Sequence, residues 1–348
     1  MKLKSLLTLA SLAIGSAGYA QETADAPLQI SGSVDTYYKY DFEKRSNIPT
    51  YFGSDHNSVS LGMIDLVLKK TTGKASFVGE LSFGPRGQYQ SIPNSDGGYI
   101  EGDGYNSFHI QNLYASYAFT DKFSMTAGYM GTFIGYEVIA PTGNYNYSTS
   151  YLFSYGPFQN AGIKGTYAFS SKASLMVGLF NDWNVYSDNN GVSHIGAQLM
   201  LSPVEGWTAY LNVLSGKKEF DPGTGTVLDL TTSYQVTENF KIGLNAADYS
   251  IDNDGAGAYS GAALYLQNSF TPGFGLGLRG EYFNMKGTGG ADDESVTAVT
   301  LSGNFKAGGL TFIPEVRFDN GSSEMFAKSN LTPSKSASQF SLALVYAF

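Results

Sequence analysis

The chain ends on "SLALVYAF" (residues 341–348), and the reading of that octet decides the architecture. Phe340, Leu342, Leu344, Tyr346 and Phe348 fall on every second position, while Ser341, Ala343 and Ala347 between them are small. A period of two puts the large side chains on one face of a β-strand. A strand of this kind cannot end in water: its backbone needs a partner and its apolar face needs an apolar neighbour. The rest of the sequence has to supply both.

Other segments repeat the pattern. In "LQISGSVDTYYKY" (28–40), Leu28, Ile30, Val34, Thr36, Tyr38 and Tyr40 share a face opposite Gln29, Ser31, Ser33, Asp35 and Lys39. In "KASFVGELSFG" (74–84), Phe77, Leu81 and Phe83 oppose Ser76, Glu80 and Ser82. Ile163, Tyr167 and Phe169 oppose Lys164 and Thr166, and Leu228, Leu230 and Tyr234 oppose Asp229, Thr231 and Ser233. Near the end, Phe312, Val316 and Phe318 oppose Thr311, Glu315 and Arg317. The register of "SLGMIDLVLKK" (60–70) is ambiguous because both faces are apolar in places; Asp65 is assigned away from lipid. Strands of this length match a tilted crossing of a hydrocarbon layer. Their connections alternate: short at 71–74, 119–123, 170–172, 202–207, 237–240, 271–274 and 306–309, and long at 42–56, 85–106, 131–158, 183–192, 215–225, 251–257, 285–294 and 320–337.

Counted this way the chain has about sixteen strands, the even number of a transmembrane antiparallel barrel. The predicted fold is all-β, closed by its N- and C-terminal strands over 28–348. Aromatics flank the short turns (Phe119, Phe123, Phe169, Trp207, Phe240, Phe274, Phe305, Phe312), as at a membrane boundary. A soluble β-sandwich would explain the alternation but neither these rims nor the short–long rhythm. Closure satisfies every backbone group in lipid and answers the opening octet: its apolar side faces lipid and its backbone pairs with the first strand.

Composition agrees. The 348 residues include 42 Gly, 25 Tyr and 23 Phe but only 11 Pro, which suits long strands and tight turns. "MKLKSLLTLASLAIGSAGYA" (1–20) has the basic start, short apolar core and small-residue end of a cleaved signal peptide, and 21–27 reads as a periplasmic leader. Loss of Lys2 and Lys4 takes the formal charge from −9 to −11, a poor basis for nucleic-acid binding. Cysteine is absent, so neither disulfide nor thiolate is available. An outer-membrane location follows, with membrane lipids and lipopolysaccharide as neighbours. No cofactor is implied, and the sequence leaves a homotrimer open.

Inward-facing charges of both signs (Asp35, Lys39, Glu80, Lys164, Asp229, Arg279, Glu281, Glu315, Arg317) are the candidate pore lining. Sixteen strands enclose an aqueous channel, so passive diffusion of small hydrophilic solutes is the expected function. The acidic outer loops predict a modest preference for cations. Segment 131–158 carries eight aromatics and one charge, Glu137. A loop so apolar should not stand in water. It is the candidate constriction, with Tyr136, Glu137, Tyr145, Tyr147 and Tyr151 facing Arg279 and Arg317; capping the rim is the competing placement. Stacking of those aromatics on sugars would instead make a substrate-specific channel, and a filled lumen would make a closed structural or surface-binding barrel.

Two resemblances add to this. Phe340, Tyr346 and the terminal Phe348 resemble the signal by which the barrel assembly machinery selects its clients. "LQISGSVDTYYKYDF" (28–42), "GTFIGYEV" (131–138) and "YNYSTSYLFSYGPFQNAGIKGTYAFSSKASLMVGLFNDWN" (145–184) resemble the OmpL-like outer-membrane beta-barrel porin family. The resemblance implies an outer-membrane barrel with diffusive passage and carries over no catalytic residue. Enzyme chemistry is not expected. Histidines 56, 109 and 194 lie in no GxSxG or HExxH context, and Ser107–His109 and Ser193–His194 are common spacings. "DNDG" (252–255) and its kin lack the acids of a calcium loop and read as turns.

Overall fold

A computed structural model describes residues 26–87, 108–253 and 255–348. The signal peptide, most of the leader and most of the second long connection lie outside the described residues. In chain order the strands are β1 (Gln29–Asp41), β2 (Ser58–Thr72), β3 (Ala75–Phe83), β4 (Phe108–Ala118), β5 (Phe123–Gly131), β6 (Gln159–Ser170), β7 (Ala173–Trp183) and β8 (His194–Leu201). They continue with β9 (Trp207–Gly216), β10 (Gly225–Gln235), β11 (Phe240–Ile251), β12 (Tyr259–Thr271), β13 (Phe274–Met285), β14 (Glu294–Ala307) and β15 (Leu310–Gly321). A two-residue pair, β16 (Phe326–Ala327) and β17 (Pro333–Ser334), precedes the last strand, β18 (Ser336–Ala347).

Each long strand pairs antiparallel with its neighbours, and the sheet closes in the order β1–β18–β15–β14 and onward to β2, a sixteen-stranded barrel. The seam runs from Ser33 opposite Ala347 to Asp41 opposite Gln339. Gly32 N donates to Phe348 O at 3.1 Å, and Phe348 N donates back to Gly32 O at 3.0 Å. The terminal octet therefore has its partner, and no long strand keeps an open edge. Leu344, Tyr346 and Phe348 are exposed on the exterior, in a band with Val177, Leu228, Leu264 and Phe318. Aromatic pairs ring the short-turn end: Phe274 and Phe305 have centroids 4.7 Å apart, Tyr117 and Phe119 5.0 Å, Tyr167 and Phe169 5.3 Å. No described helix is long and apolar enough to cross a membrane; strands make the crossing.

The ambiguous register of 60–70 has a local cause. Pairing of β1 with β2 steps from Val34↔Ile64 to Thr36↔Leu61, so Gly62 and Met63 together oppose Asp35. This bulge shifts the exposed set from the odd positions Val59 and Leu61 to the even position Ile64. Met63 N donates to the Asp35 carboxylate at 2.9 Å, and a Cβ at Gly62 would overlap that carboxylate. The sequence reading finds no helix after residue 20; the structure has one turn, α1 (Tyr151–Tyr155), inside the third long connection. Ser150 Oγ caps it by accepting from Phe153 N at 3.0 Å.

Candidate functional site: the lumen and its inner loop

Segment 132–158, between β5 and β6, does not cap the rim. It enters the barrel and runs along the inner wall, held by charged side chains of β10, β13, β15 and β1 and by Ser302 and Asn304 of β14. Arg279 donates to Glu137 at 2.6 Å, to Ser148 O at 2.7 Å and to Thr300 Oγ1 at 3.1 Å. Arg317 donates to Thr149 O at 2.7 Å and to both oxygens of Asp319, with the Tyr151 ring 5.1 Å away. Two wall carboxylates each grip two successive backbone amides. Glu315 accepts from Tyr147 N (2.8 Å) and Ser148 N (3.0 Å), and Glu281 from Tyr151 N (3.0 Å) and Leu152 N (2.8 Å). The latter pair satisfies the donors that a one-turn helix leaves open at its start. Tyr147 and Tyr151 donate their hydroxyls to Asp35 and Asp319, both at 2.7 Å. Burial pushes the Tyr147 phenol well above its ordinary value, which keeps it a donor.

The wall is also shaped for the loop's aromatics. Ideal Cβ atoms at Gly275 and Gly277 would collide with the Tyr145 ring, one at Gly243 with the Tyr136 hydroxyl, and one at Gly196 with the Phe133 ring. Glycine at these inward positions lets the rings lie against backbone. Tyr136 also stacks on Tyr265, centroids 4.4 Å apart.

Above the loop, toward the long connections, a buried apolar cluster lies against the inner wall. Tyr151 and Leu152 pack with Phe180, Leu214, Val227, Tyr249, Tyr259 and Phe283, all inward-facing and buried, and with Ile48 and Phe326 from the first and last long connections. Those two connections are clasped: Asn47 donates to Ala327 O (2.9 Å) and accepts from Ala327 N (3.0 Å). Arg86, just after β3, is fully buried. Its guanidinium lies 4.6 Å from the Phe52 centroid and 5.2 Å from that of Tyr147, and donates to Ile139 O at 3.1 Å.

Below the loop, toward the short turns, the inward positions are polar and only partly covered: Glu80, Asn112, Tyr114, Thr126, Lys164, Gln198, Tyr210 and Lys241. Of the sequence-nominated residues, Asp35, Arg279, Glu281, Glu315 and Arg317 thus lie at the wall–loop contact, as do Glu137, Tyr147 and Tyr151. Asp229 joins them, accepting from Gly135 N at 3.1 Å and from Asn212 at 2.7 Å. Lys39 is buried beside Asp41 at 3.3 Å, whereas Glu80 and Lys164 face the open half. Tyr136 and Tyr145 sit between the two, half-buried. Phe340, Tyr346 and Phe348 lie on the outer side of the closing strand. Sequence reasoning missed Arg86, the inward glycines and the inward aromatics; the spacing of Gly275 and Gly277 was the one available signal.

Ser193 and His194 do meet, at 2.7 Å from Oγ to Nδ1, with Asp182 2.7 Å from the same hydroxyl. Asp182 also lies 3.5 Å from that same Nδ1. A proton relay needs the serine and the carboxylate on opposite ring nitrogens, so this trio is a rim hydrogen-bond cluster. Ser107 lies outside the described residues. Among the described residues no group of three or more His, Asp or Glu is placed to hold a metal ion.

The fold is similar to solved outer-membrane porins. An anion-selective porin from Comamonas acidovorans matches with a TM-score of 0.61 at 13% identity, over 92% of this chain and 99% of that one. OmpF of Salmonella typhi matches with a TM-score of 0.61 at 12% identity, over 93% and 100%. The trimer form of OmpT from Vibrio cholerae matches with a TM-score of 0.58 at 13% identity, over 92% and 99%. At these identities the likeness speaks for the fold alone. No curated protein gives a sequence match. Residues 27–348 match the family described as "Putative beta-barrel porin-2, OmpL-like". With nearly the whole barrel covered by that match, the chain belongs to this family of outer-membrane porins.

Proposed function

We propose that the barrel passes small hydrophilic solutes by diffusion along the inner face of β3 to β8, beside the anchored loop. The observation that carries this reading is the contrast within the lumen: the loop is strapped to the β10–β15 and β1 side, while the opposite wall keeps polar side chains that are only partly covered. The loop then narrows the bore without being a free gate, and the bore sets the size limit. No chemical step is assigned, and the protein acts as a channel rather than an enzyme. Export through cleavage of residues 1–20, insertion guided by the Phe340–Phe348 strand, contact with lipopolysaccharide and assembly as a homotrimer belong to the same proposal.

The packed outer half supports a second reading, a barrel closed at rest. Planar-bilayer recording of refolded mature protein separates them. Stepwise conductance that rises linearly with salt is the expected result. Silence from protein shown to be folded by circular dichroism and heat-modifiable mobility would leave only the closed barrel.

A further inference from the structure

Most acids of the inner wall hold a hydrogen-bond or ion-pair partner. Asp35 holds Met63 N and the Tyr147 hydroxyl, and Glu80 holds Asn112. Glu137 holds Arg279, Asp229 holds Asn212 and Asn245, Glu281 and Glu315 hold loop amides, and Asp319 holds Arg317. Asp65 is buried beside Glu80. Four inward lysines differ. Lys69 lies two pleats from Asp65 on the same face, and Lys164 stands opposite Thr126 and Gly178. Lys241 stands opposite Gln235 and Gln267, and Lys306 opposite Thr311. Among the described residues the only lysines in ion pairs are Lys39 and Lys286, so none of these four is neutralised by contact. All four lie below the loop, and Lys164 sits deepest, midway along β6.

We propose that these lysines, with Lys164 foremost, give the channel a preference for small anions over cations. The inference rests on the diffusive reading above and reverses the expectation drawn from net charge. The reversal has a physical cause. Acids on the outer loops act across a wide, wet mouth, where about 0.1 M salt screens them within about 10 Å. Charges on the wall of the lumen act at much closer range on every passing ion, and wall substitutions are what tune selectivity. Hydrogen-bonded carboxylates keep their charge, but below the loop four lysines face only two described carboxylates, Asp65 and Glu80, so the balance there is positive.

The test is the zero-current potential of the refolded mature protein in asymmetric KCl. Wild type should favour chloride over potassium. Lys164→Gln should lower the chloride-to-potassium permeability ratio, Lys164→Glu should lower it further toward or past unity, and Lys164→Arg should keep the wild-type ratio. A merely structural lysine would alter yield or conductance without ordering the ratio by charge. Cation preference in a conducting wild type, or equal ratios across the three variants, overturns the proposal and leaves diffusive passage standing. A folded barrel that does not conduct removes both.

Discussion

The two halves of the lumen are made by the same strands, yet they are built on opposite terms. Toward the long connections the inward positions are Phe180, Tyr249, Tyr259 and Phe283, packed against the inner loop and buried. Toward the short turns they are Thr126, Lys164, Gln198 and Lys241, polar and partly covered. Alternation decides only which side chains point inward. What they meet there depends on height along the strand, and the anchored loop is the divider.

The comparison breaks first at the carboxylates. Glu281→Ala and Glu315→Ala each strand two buried amides of the loop, a loss of about 2–5 kcal/mol. Both variants should unfold at lower temperature in detergent and show larger, noisier single-channel conductance. Wild-type conductance in both would mean that the loop is held by packing alone. A smaller effect is expected at the glycine seats. Gly277→Val would drive the Tyr145 ring off the wall at about 1–3 kcal/mol, the range of an overpacked core. Tyr145→Ala in the same chain should relieve it; additive losses would show that the two do not share a site.

The smallest effect is in alkali. Burial, and then Glu137, push the Tyr136 phenol up to about 12. Its neutral form therefore favours the docked loop in full below the ordinary tyrosine value of 10.0, and that contribution is lost as pH rises from there to about 12. Tyr136→Phe should flatten the pH dependence of stability in that window. An unchanged slope would place Tyr136 in water rather than against Gly243 and Tyr265.

Legibility followed the range of the forces. The outward face was readable because lipid imposes one rule on every second residue, and the turn lengths and terminal Phe348 followed the same rule. Register was ambiguous at 60–70 because the β2 bulge answers to Asp35, 28 residues before Met63 and on another strand. The helix at 151–155 was hidden because its first amides are satisfied by Glu281, 129 and 130 residues away. The role of the inward glycines was hidden because the rings that lie on them, Tyr136 and Tyr145, come from a loop far away in the chain.

The amino-acid order by itself determined a closed, lipid-facing sheet, because period-two alternation and backbone saturation in a membrane leave no other arrangement. Only the tertiary structure decided which inward charges remain free. Glu281, Glu315, Arg279 and Arg317 look no different from Lys164 along the chain, and their roles part where a loop from between β5 and β6 comes to lie against one wall and not the other.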